Sequence, residues 1–303
     1  MNSTLLDVWH QVYELAVQIE HMAPWTMLDR SALIGVEAPH SGDVGFVSVT
    51  DDPTFPTISV YREARGLYGF WYSHDMPLAD YPEQYLEIPQ LQITLKPYAA
   101  LESEDQRLVS QLGLPVHPSQ TYPVIRSVQP GYRPWYLEDE EVNFLLVVLE
   151  QAQQMLPRAM LDPMLLNPQP PDRFPVRVQN PDGKSWRDDL IRIPQPGPEP
   201  ILHRMDKPLF EKVKRLPHNQ RAVEVDFFLV TGIPSHPSEA GQRPRYPYLL
   251  LMVDATLGLI LGQETLSVSP TLETMIGLLG WKLVVQFDKA GAIPRTVLVR
   301  SPY

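Results

Sequence analysis

The chain has 303 residues, 44% of them hydrophobic and 20% charged, which is enough to build two domains with proper cores. It contains no cysteine, which excludes disulfides, thiolate metal sites and cysteine nucleophiles. The net charge of −11 is concentrated in residues 1–156, where 7 Lys and Arg face 21 Asp and Glu. That excess repels phosphate backbones, so we expect no nucleic-acid binding by this part of the chain.

The first twenty residues predict a helix with an apolar stripe at steps of three and four, ended by Pro24. The segment lacks the basic start and apolar block of a signal peptide. No stretch of the chain approaches the roughly 20 apolar residues that span a bilayer. We therefore expect a cytoplasmic protein without a membrane partner.

Residues 1–156 predict an acidic α+β domain of unknown function. Short alternating runs separated by turn signals predict an antiparallel meander, followed by helices and a further strand. The meander strands are 32–37, 44–50 and 57–61, the later strand is 86–95, and the helices are 63–72, 104–112 and 138–156.

Residues 157–215 predict a proline-rich connector, because proline lacks an N–H and disfavours helix in the residue before it. The connector holds one hairpin, 176–178 with 186–193, and a basic cluster at 207–215 that suits either a solvated helix face or a partner surface. Residues 216–303 predict a mixed β-β-β-α-β domain. In it Ser269 and Pro270 open a helix, and a final strand at 296–299 runs parallel to the first strand at 222–230. The fold class is therefore α/β.

Most patterns that carry chemistry are missing from the sequence. It contains no phosphate-binding glycine loop, no nucleophile elbow and no histidine pair at zinc-ligand spacing, so we expect no cofactor and no metal site. An aromatic loop at 132–136 offers a stacking platform together with Trp71, or else it packs against the core. The candidate binding residues are Trp71, Tyr132, Arg133 and Trp135.

A pair of carboxylates gives the more specific signal. Glu224 and Asp226 lie two apart on a predicted strand, so both point to one face. Burying them without a partner is costly, which makes a divalent metal or a basic neighbour such as Arg300 the reason for their position. These two residues are the candidate catalytic residues.

The C-terminal order of elements resembles the opening half of the RNase H-like core of transposases and retroviral-type integrases. The resemblance is carried by Glu224-Val225-Asp226, the segment 248–254, the hairpin strand 259–262 and Ile293-Pro294-Arg295 before the last strand. It implies a catalytic role for Asp226 and a structural turn role for Asp254. The family's second aspartate is replaced here by Arg300-Ser301, and its final glutamate has no counterpart, so the resemblance implies a degenerate, non-catalytic core.

Over most of its length the chain also resembles a group of uncharacterised bacterial proteins that pair two domains of unknown function. The resemblance is carried by Pro24-Trp25, 66–70, 87–91 and 130–135, and by 247–251 with Val253-Asp254 near the end. It implies no activity. Members typically continue beyond the point where this chain ends, so we expect a truncated chain.

Two functions follow as hypotheses. The first is a non-catalytic binding or interaction protein of the bacterial cytoplasm, with another protein as the expected partner. The alternative is a metal-dependent hydrolase or nucleic-acid-processing enzyme that uses Glu224 and Asp226 with a third carboxylate. A small-molecule site in the N-terminal domain is a third option, for which the sequence singles out no residue.

Overall fold

The computed structural model describes residues 3–51, 55–75, 86–167, 173–197, 199–231 and 242–299. The chain forms two compact units. Unit 1 comprises residues 1–129 and 134–196, and unit 2 comprises residues 130–133 and 197–303. Both units combine helices with a β-sheet, so the predicted α/β class is confirmed.

Unit 1 is built on a seven-stranded sheet of order β5-β4-β3-β2-β1-β6-β7. The strands are β1 (Ile34–Glu37), β2 (Val44–Asp51), β3 (Pro56–Arg62), β4 (Gln90–Pro97), β5 (Thr121–Val128), β6 (Arg173–Gln179) and β7 (Trp186–Arg192). Strands β1 to β5 pair antiparallel in chain order, which confirms the predicted meander. Strand β6 adds to β1 in parallel, and β7 follows as an antiparallel edge.

The β6–β7 hairpin is the one that the sequence places in the connector. In the structure it continues the sheet of unit 1. The reason is its alternating apolar face: Phe174, Val176 and Val178 are buried and join the core on one side of the sheet. Packing this apolar face on a sheet lowers the free energy of the hairpin. The prolines on either side of the hairpin are the reason that the sequence predicts a connector there.

The described residues of unit 1 form four α-helices that pack with the sheet: α1 (Ser3–Met22), α2 (Glu63–Asp75), α3 (Ser103–Gln111) and α4 (Asp139–Leu161). The larger core contains the apolar stripes of α1 and α4 together with residues of β1 to β5. The smaller core contains Leu67 and Phe70 of α2, which pack with the β6 side chains. Strand β5 lies at the edge beside α1 and α3, and this corner positions the candidate site.

Two features of unit 1 differ from the sequence-based prediction. Strand β5 is not predicted because Pro123 interrupts its pattern, but an edge strand tolerates proline since the missing N–H faces away from the sheet. The second long helix does not end before Pro157 but continues to Leu161. Leu156 and Ala159 are fully buried on either side of the proline, and this packing offsets the lost backbone hydrogen bond.

Unit 2 carries a four-stranded sheet of order β10-β9-β8-β11. Its strands are β8 (Ala222–Leu229), β9 (Pro247–Asp254), β10 (Ile260–Ser267) and β11 (Thr296–Val299), and its helices are α5 (Lys207–Val213), α6 (Leu272–Ile276) and α7 (Leu279–Ala290). Strand β11 pairs in parallel with β8 after a helical crossover, as predicted.

The predicted single helix of the crossover is two helices, and its cap is different. Thr271, not Ser269, caps α6 by accepting a hydrogen bond from the Thr274 amide. The break falls at Gly277, whose carbonyl accepts from the Arg204 amide at 3.1 Å. A Cβ at Gly277 would lie 2.3 Å from the Leu202 carbonyl oxygen, so the close approach of residues 202–204 requires glycine there.

Candidate functional site

A cleft of about 630 Å³ opens in unit 1 where α1, α3, the middle of β5 and the segment before α4 meet. We call it the aromatic cleft, because four aromatic rings form its wall. Two of them, Trp9 and Tyr13, lie one turn apart on α1, and the other two, Trp135 and Tyr136, follow β5 in the chain. Its charged lining is Glu104, Asp105, Arg107 and Asp139.

The aromatic wall consists of two edge-to-face pairs. The rings of Trp9 and Tyr13 are 6.4 Å apart at 69°, and those of Trp135 and Tyr136 are 5.1 Å apart at 64°. The backbone of Trp135 is fixed by two hydrogen bonds to Ser127, of 2.7 and 3.0 Å. Both pairs therefore have defined positions before any ligand enters, which reduces the entropy lost on binding.

A buried ion pair stands at the edge of the cleft. The guanidinium of Arg126 donates to both carboxylate oxygens of Asp105, each at 2.8 Å, and Asp105 is only 4% exposed. The same guanidinium lies 4.5 Å from the centre of the Tyr136 ring and 3.2 Å from a Glu102 oxygen. Burial by itself would lower the pKa of Arg126, but the hydrogen bonds and charge of Asp105 raise it above its ordinary value. The Arg126 guanidinium therefore keeps its charge.

Tyr13 is a buried residue in the wall of the cleft whose hydroxyl the fold leaves unused. Its side chain is 2% exposed, and its hydroxyl forms no hydrogen bond with any residue that the structure describes. Burial and the nearby charge of Asp105 raise its pKa well above the ordinary value of tyrosine. The hydroxyl consequently stays neutral and keeps both its donor and its acceptor for a group in the cleft.

The charges of the cleft do not balance. Asp105 is neutralised by Arg126, and Glu104 is paired with Arg107 at 2.7 Å. Asp139 is exposed, and its carboxylate has no partner among the described residues. The cleft thus has at least one carboxylate, that of Asp139, without a cation beside it among the described residues, and this favours a positively charged ligand.

The structure places the predicted aromatic residues in three environments. Trp135 lines the aromatic cleft. Trp71 is half-buried on α2 with its ring 5.3 Å from Phe70, and its indole N–H is buried without a partner among the described residues. Tyr132 and Arg133 belong to unit 2. Of the predicted platform residues, Trp71 and Trp135 thus belong to unit 1, and Tyr132 and Arg133 to unit 2.

Residues 130–133 are packed into unit 2. Tyr132 forms an antiparallel bridge with Arg245, and its hydroxyl donates to the Pro270 carbonyl at 3.0 Å. The guanidinium carbon of Arg133 lies 5.4 Å from the centre of the Tyr246 ring. These contacts fix the segment within its unit.

The carboxylate pair lies on β8, where the pattern places it. Val223, Val225 and Phe227 are buried on one face, and Glu224 and Asp226 stand on the other, exposed and half-buried respectively. Their cross-strand neighbours are apolar: Val253 and Leu298 flank Glu224, and Leu251 faces Asp226.

The described residues contain no group of three His, Asp or Glu side chains placed to hold a metal ion. Asp226 accepts a hydrogen bond from the Phe227 amide at 2.8 Å and has no charged partner within the described ranges. Arg300, the predicted basic neighbour, lies outside the described residues. Asp254 accepts from the Thr256 and Leu257 amides, each at 2.9 Å, as its implied turn role requires.

The basic cluster of the connector forms α5 and the turn after it. Lys212 pairs with Asp288 of α7 at 2.7 Å, and Lys214 pairs with Glu211 at 3.1 Å. Two of its cations are therefore paired within unit 2.

Sequence reasoning did not find Tyr13, Asp105 or Arg126, and it included Tyr136 only as the last residue of the aromatic loop. Tyr13 belongs to the regular apolar stripe of α1, and Asp105 has the appearance of an ordinary acid in the first turn of a helix. The one available signal was that Tyr136 closes the aromatic loop that also contains Trp135.

Comparison with known proteins gives the family and no activity. Residues 9–177, more than half of the chain, match the family described as "Domain of unknown function (DUF7309)", and the chain belongs to that family. Residues 209–303 match a second family, "Domain of unknown function (DUF6930)". No curated protein and no solved structure matches the chain. None of the helices in the described residues has the length and apolar character needed to cross a membrane.

Proposed function

We propose that the chain is a binding protein whose unit 1 holds a positively charged organic group, a guanidinium or an ammonium on an apolar stem, in the aromatic cleft. One observation carries the proposal: four aromatic rings, an unpaired carboxylate and the unused hydroxyl of buried Tyr13 converge on one cleft. The rings and the carboxylate favour a cation with an apolar body, and the hydroxyl offers a hydrogen bond to a group in the cleft.

The chain's own Arg126 supports this choice of ligand. Its guanidinium sits between the Asp105 carboxylate and the face of Tyr136, which is the combination that the cleft offers to an entering cation. The cleft offers a second ring and a second carboxylate, those of Trp135 and Asp139. No cation of the described residues lies against them.

Binding is favoured over catalysis because the charged groups of the cleft are already committed. Asp105 gives both oxygens to Arg126, and Glu104 is held by Arg107. A general base needs a carboxylate or imidazole that is free to take a proton within hydrogen-bond reach of a substrate. Among the charged residues that line the cleft, only Asp139 is free to act as a general base. The arrangement therefore supports binding more than catalysis.

The test is the affinity of acetyl-arginine amide compared with acetyl-citrulline amide, its neutral isostere. We expect arginine to bind about tenfold more tightly in calorimetric titrations, since a cation over aromatic rings with a nearby carboxylate is worth about 1–2 kcal/mol. Asp139→Asn should remove most of this preference. Glu140→Gln, the same change one residue later on the exposed first turn of α4, should leave it intact. Equal affinity for the two compounds would refute the proposal.

We also propose that unit 2 is a degenerate RNase H-like core that retains no nuclease activity, and that the protein works in the cytoplasm. The sheet order and the helical crossover to β11 support the first point, and a cysteine-free fold that needs no oxidising compartment suits the second. Hydrolysis of single- or double-stranded DNA or RNA in magnesium or manganese, abolished by Asp226→Asn, would overturn the first. Recovery of the protein outside the cytoplasmic fraction would overturn the second.

A further inference from the structure

A second, smaller cleft of about 310 Å³ lies in unit 1 beside the aromatic cleft. Its apolar lining comes from Val17 of α1, Leu114 after α3, and Tyr122 with Pro123 of β5. The Tyr122 hydroxyl is used within the fold, since it accepts from the His117 amide at 3.0 Å and donates to the Pro115 carbonyl at 2.7 Å. This apolar cleft therefore suits a side chain without charge.

Tyr13 lines both clefts, so the two clefts are neighbours that share one residue of their walls. The residues of α1 that line them follow one another at steps of four: Leu5, Trp9 and Tyr13 for the aromatic cleft, then Tyr13 and Val17 for the apolar cleft. With a rise of 1.5 Å per residue, Trp9 and Val17 are about 12 Å apart along the helix. The two clefts therefore follow one another along α1, and we call the pair the groove.

Strand β5 runs along the same groove. Ile125 lines the aromatic cleft, and residues 121–123 line the apolar cleft. This edge of the sheet cannot bind a ligand as an added β-strand, because Pro123 has no N–H and the Ile125 carbonyl accepts from Arg126 at 2.9 Å. A ligand in the groove is therefore recognised through its side chains.

We infer that the groove binds an extended segment of a partner protein, with a basic side chain in the aromatic cleft and an apolar side chain in the apolar cleft. The inference rests on the proposed function of the aromatic cleft. An extended chain advances about 3.3 Å per residue, and side chains on one face recur every second residue. A separation of 12 Å thus corresponds to side chains about four residues apart.

The charge of the surroundings agrees with a basic segment. Residues 1–156 carry a net charge of −14, and Glu14 lines the apolar cleft while Asp139 lines the aromatic cleft. Such a field raises the rate at which a cationic segment meets the groove, and it does so less at high salt.

The experiment uses the full chain and acetylated, amidated peptides that contain one arginine and one leucine separated by serines. The leucine follows or precedes the arginine by two, three, four or five positions, and in matched peptides serine replaces the leucine. We expect the leucine peptide with a spacing of four, in one of the two orders, to bind about tenfold more tightly than its serine counterpart, because a buried leucine side chain contributes that much.

Val17→Gln should reduce the ratio of the affinities of the leucine peptide and its serine counterpart to about one. Val8→Gln, on the same helix but outside both clefts, should keep this ratio at about tenfold. Binding of acetyl-arginine amide with no gain from leucine at any spacing or order would overturn this inference and leave the proposed function standing. A gain that survives Val17→Gln would also overturn it. Failure of both acetyl-arginine amide and the peptides to bind would overturn the proposed function itself, and the inference with it.

Discussion

Two aspartates in this chain stand in contrasting environments, one in each unit. Asp105 is almost fully buried beside the aromatic cleft, with both oxygens bound by Arg126. Asp226 is half-buried on an open strand face, where its one hydrogen bond among the described residues comes from the next backbone amide. Sequence reasoning selects Asp226 as a candidate site residue, because five consecutive residues are enough to show on which face of its strand it lies. The setting of Asp105 requires a partner 21 residues away.

The aromatic segment 130–136 divides in the same way. Its first four residues are held in unit 2 by backbone hydrogen bonds, and Trp135 and Tyr136 line the cleft of unit 1. In both comparisons the residue type alone does not distinguish a packed group from an available one. What distinguishes them is the set of contacts that distant parts of the chain supply.

The largest expected effect is on the buried ion pair. Asp105→Asn should lower the free energy of unfolding by about 3–5 kcal/mol, because it leaves the charge of Arg126 without its buried carboxylate and with only the exposed Glu102 beside it. Glu104→Gln, next to it and half-exposed in its pair with Arg107, should cost less than about 1 kcal/mol. Urea unfolding followed by tryptophan fluorescence measures both, since five of the six tryptophans lie in unit 1.

A double variant keeps this prediction testable if Asp105→Asn does not fold. Asp105→Leu with Arg126→Leu removes both charges, so it should cost less than Asp105→Asn alone. A double variant that is less stable than the single one would contradict the description of Arg126 as the partner of Asp105.

The next largest loss of stability is expected in residues 130–133, the part of the aromatic segment that belongs to unit 2. Gly131 has φ +80°, and a Cβ there would lie 2.2 Å from a methyl of Val268. Gly131→Ala should therefore cost about 2–4 kcal/mol, the sum of a left-handed alanine and an overpacked contact. Gly291→Ala, with φ +66° and open space, should cost only about 1 kcal/mol. Calorimetric melting of both variants checks this, and equal losses would show that Val268 is not in contact.

Two tyrosines allow a hydroxyl that is hydrogen-bonded within the fold to be compared with one that is not. Tyr122→Phe should cost about 1–2 kcal/mol, because it leaves the Pro115 carbonyl and the His117 amide without their partner. Tyr13→Phe should change stability by less than about 0.5 kcal/mol or increase it, because no hydrogen bond to a described residue is lost. Urea unfolding of both variants measures the difference, and a large loss for Tyr13→Phe would show that its hydroxyl serves the fold.

The smallest effect is expected at Asp226. Asp226→Asn keeps an acceptor for the Phe227 amide, so stability should change by less than about 0.5 kcal/mol. Millimolar magnesium or manganese should leave the melting temperature unchanged in both forms. A rise in melting temperature that occurs with metal in the wild type alone would identify Asp226 as a ligand.

Most elements could be predicted from sequence because their patterns are local. The stripe of α1, the meander strands and the parallel return of β11 all follow from periodicity and turn residues. Strand β5 and the end of α4 could not, because each contains a proline whose cost is offset by its position at a sheet edge or by packing.

The candidate site was less predictable than the fold. Of its principal residues only Trp135 was singled out, because aromatic clustering is visible along the chain. Tyr13, Asp105 and Arg126 come from a helix, another helix and a strand, and their meeting depends on how α1 and α3 pack against the edge of the sheet. Nothing in the spacing of these residues encodes that packing.

The most direct test of the central claim is where a cation binds. The chain has six tryptophans, whose indole N–H signals can be followed by NMR while acetyl-arginine amide is added to the ¹⁵N-labelled chain. We expect the signals of Trp9 and Trp135 to shift with a common saturation curve, and those of Trp186 and Trp281 to stay in place. Saturable shifts confined to other tryptophans, or none at all, would contradict the account.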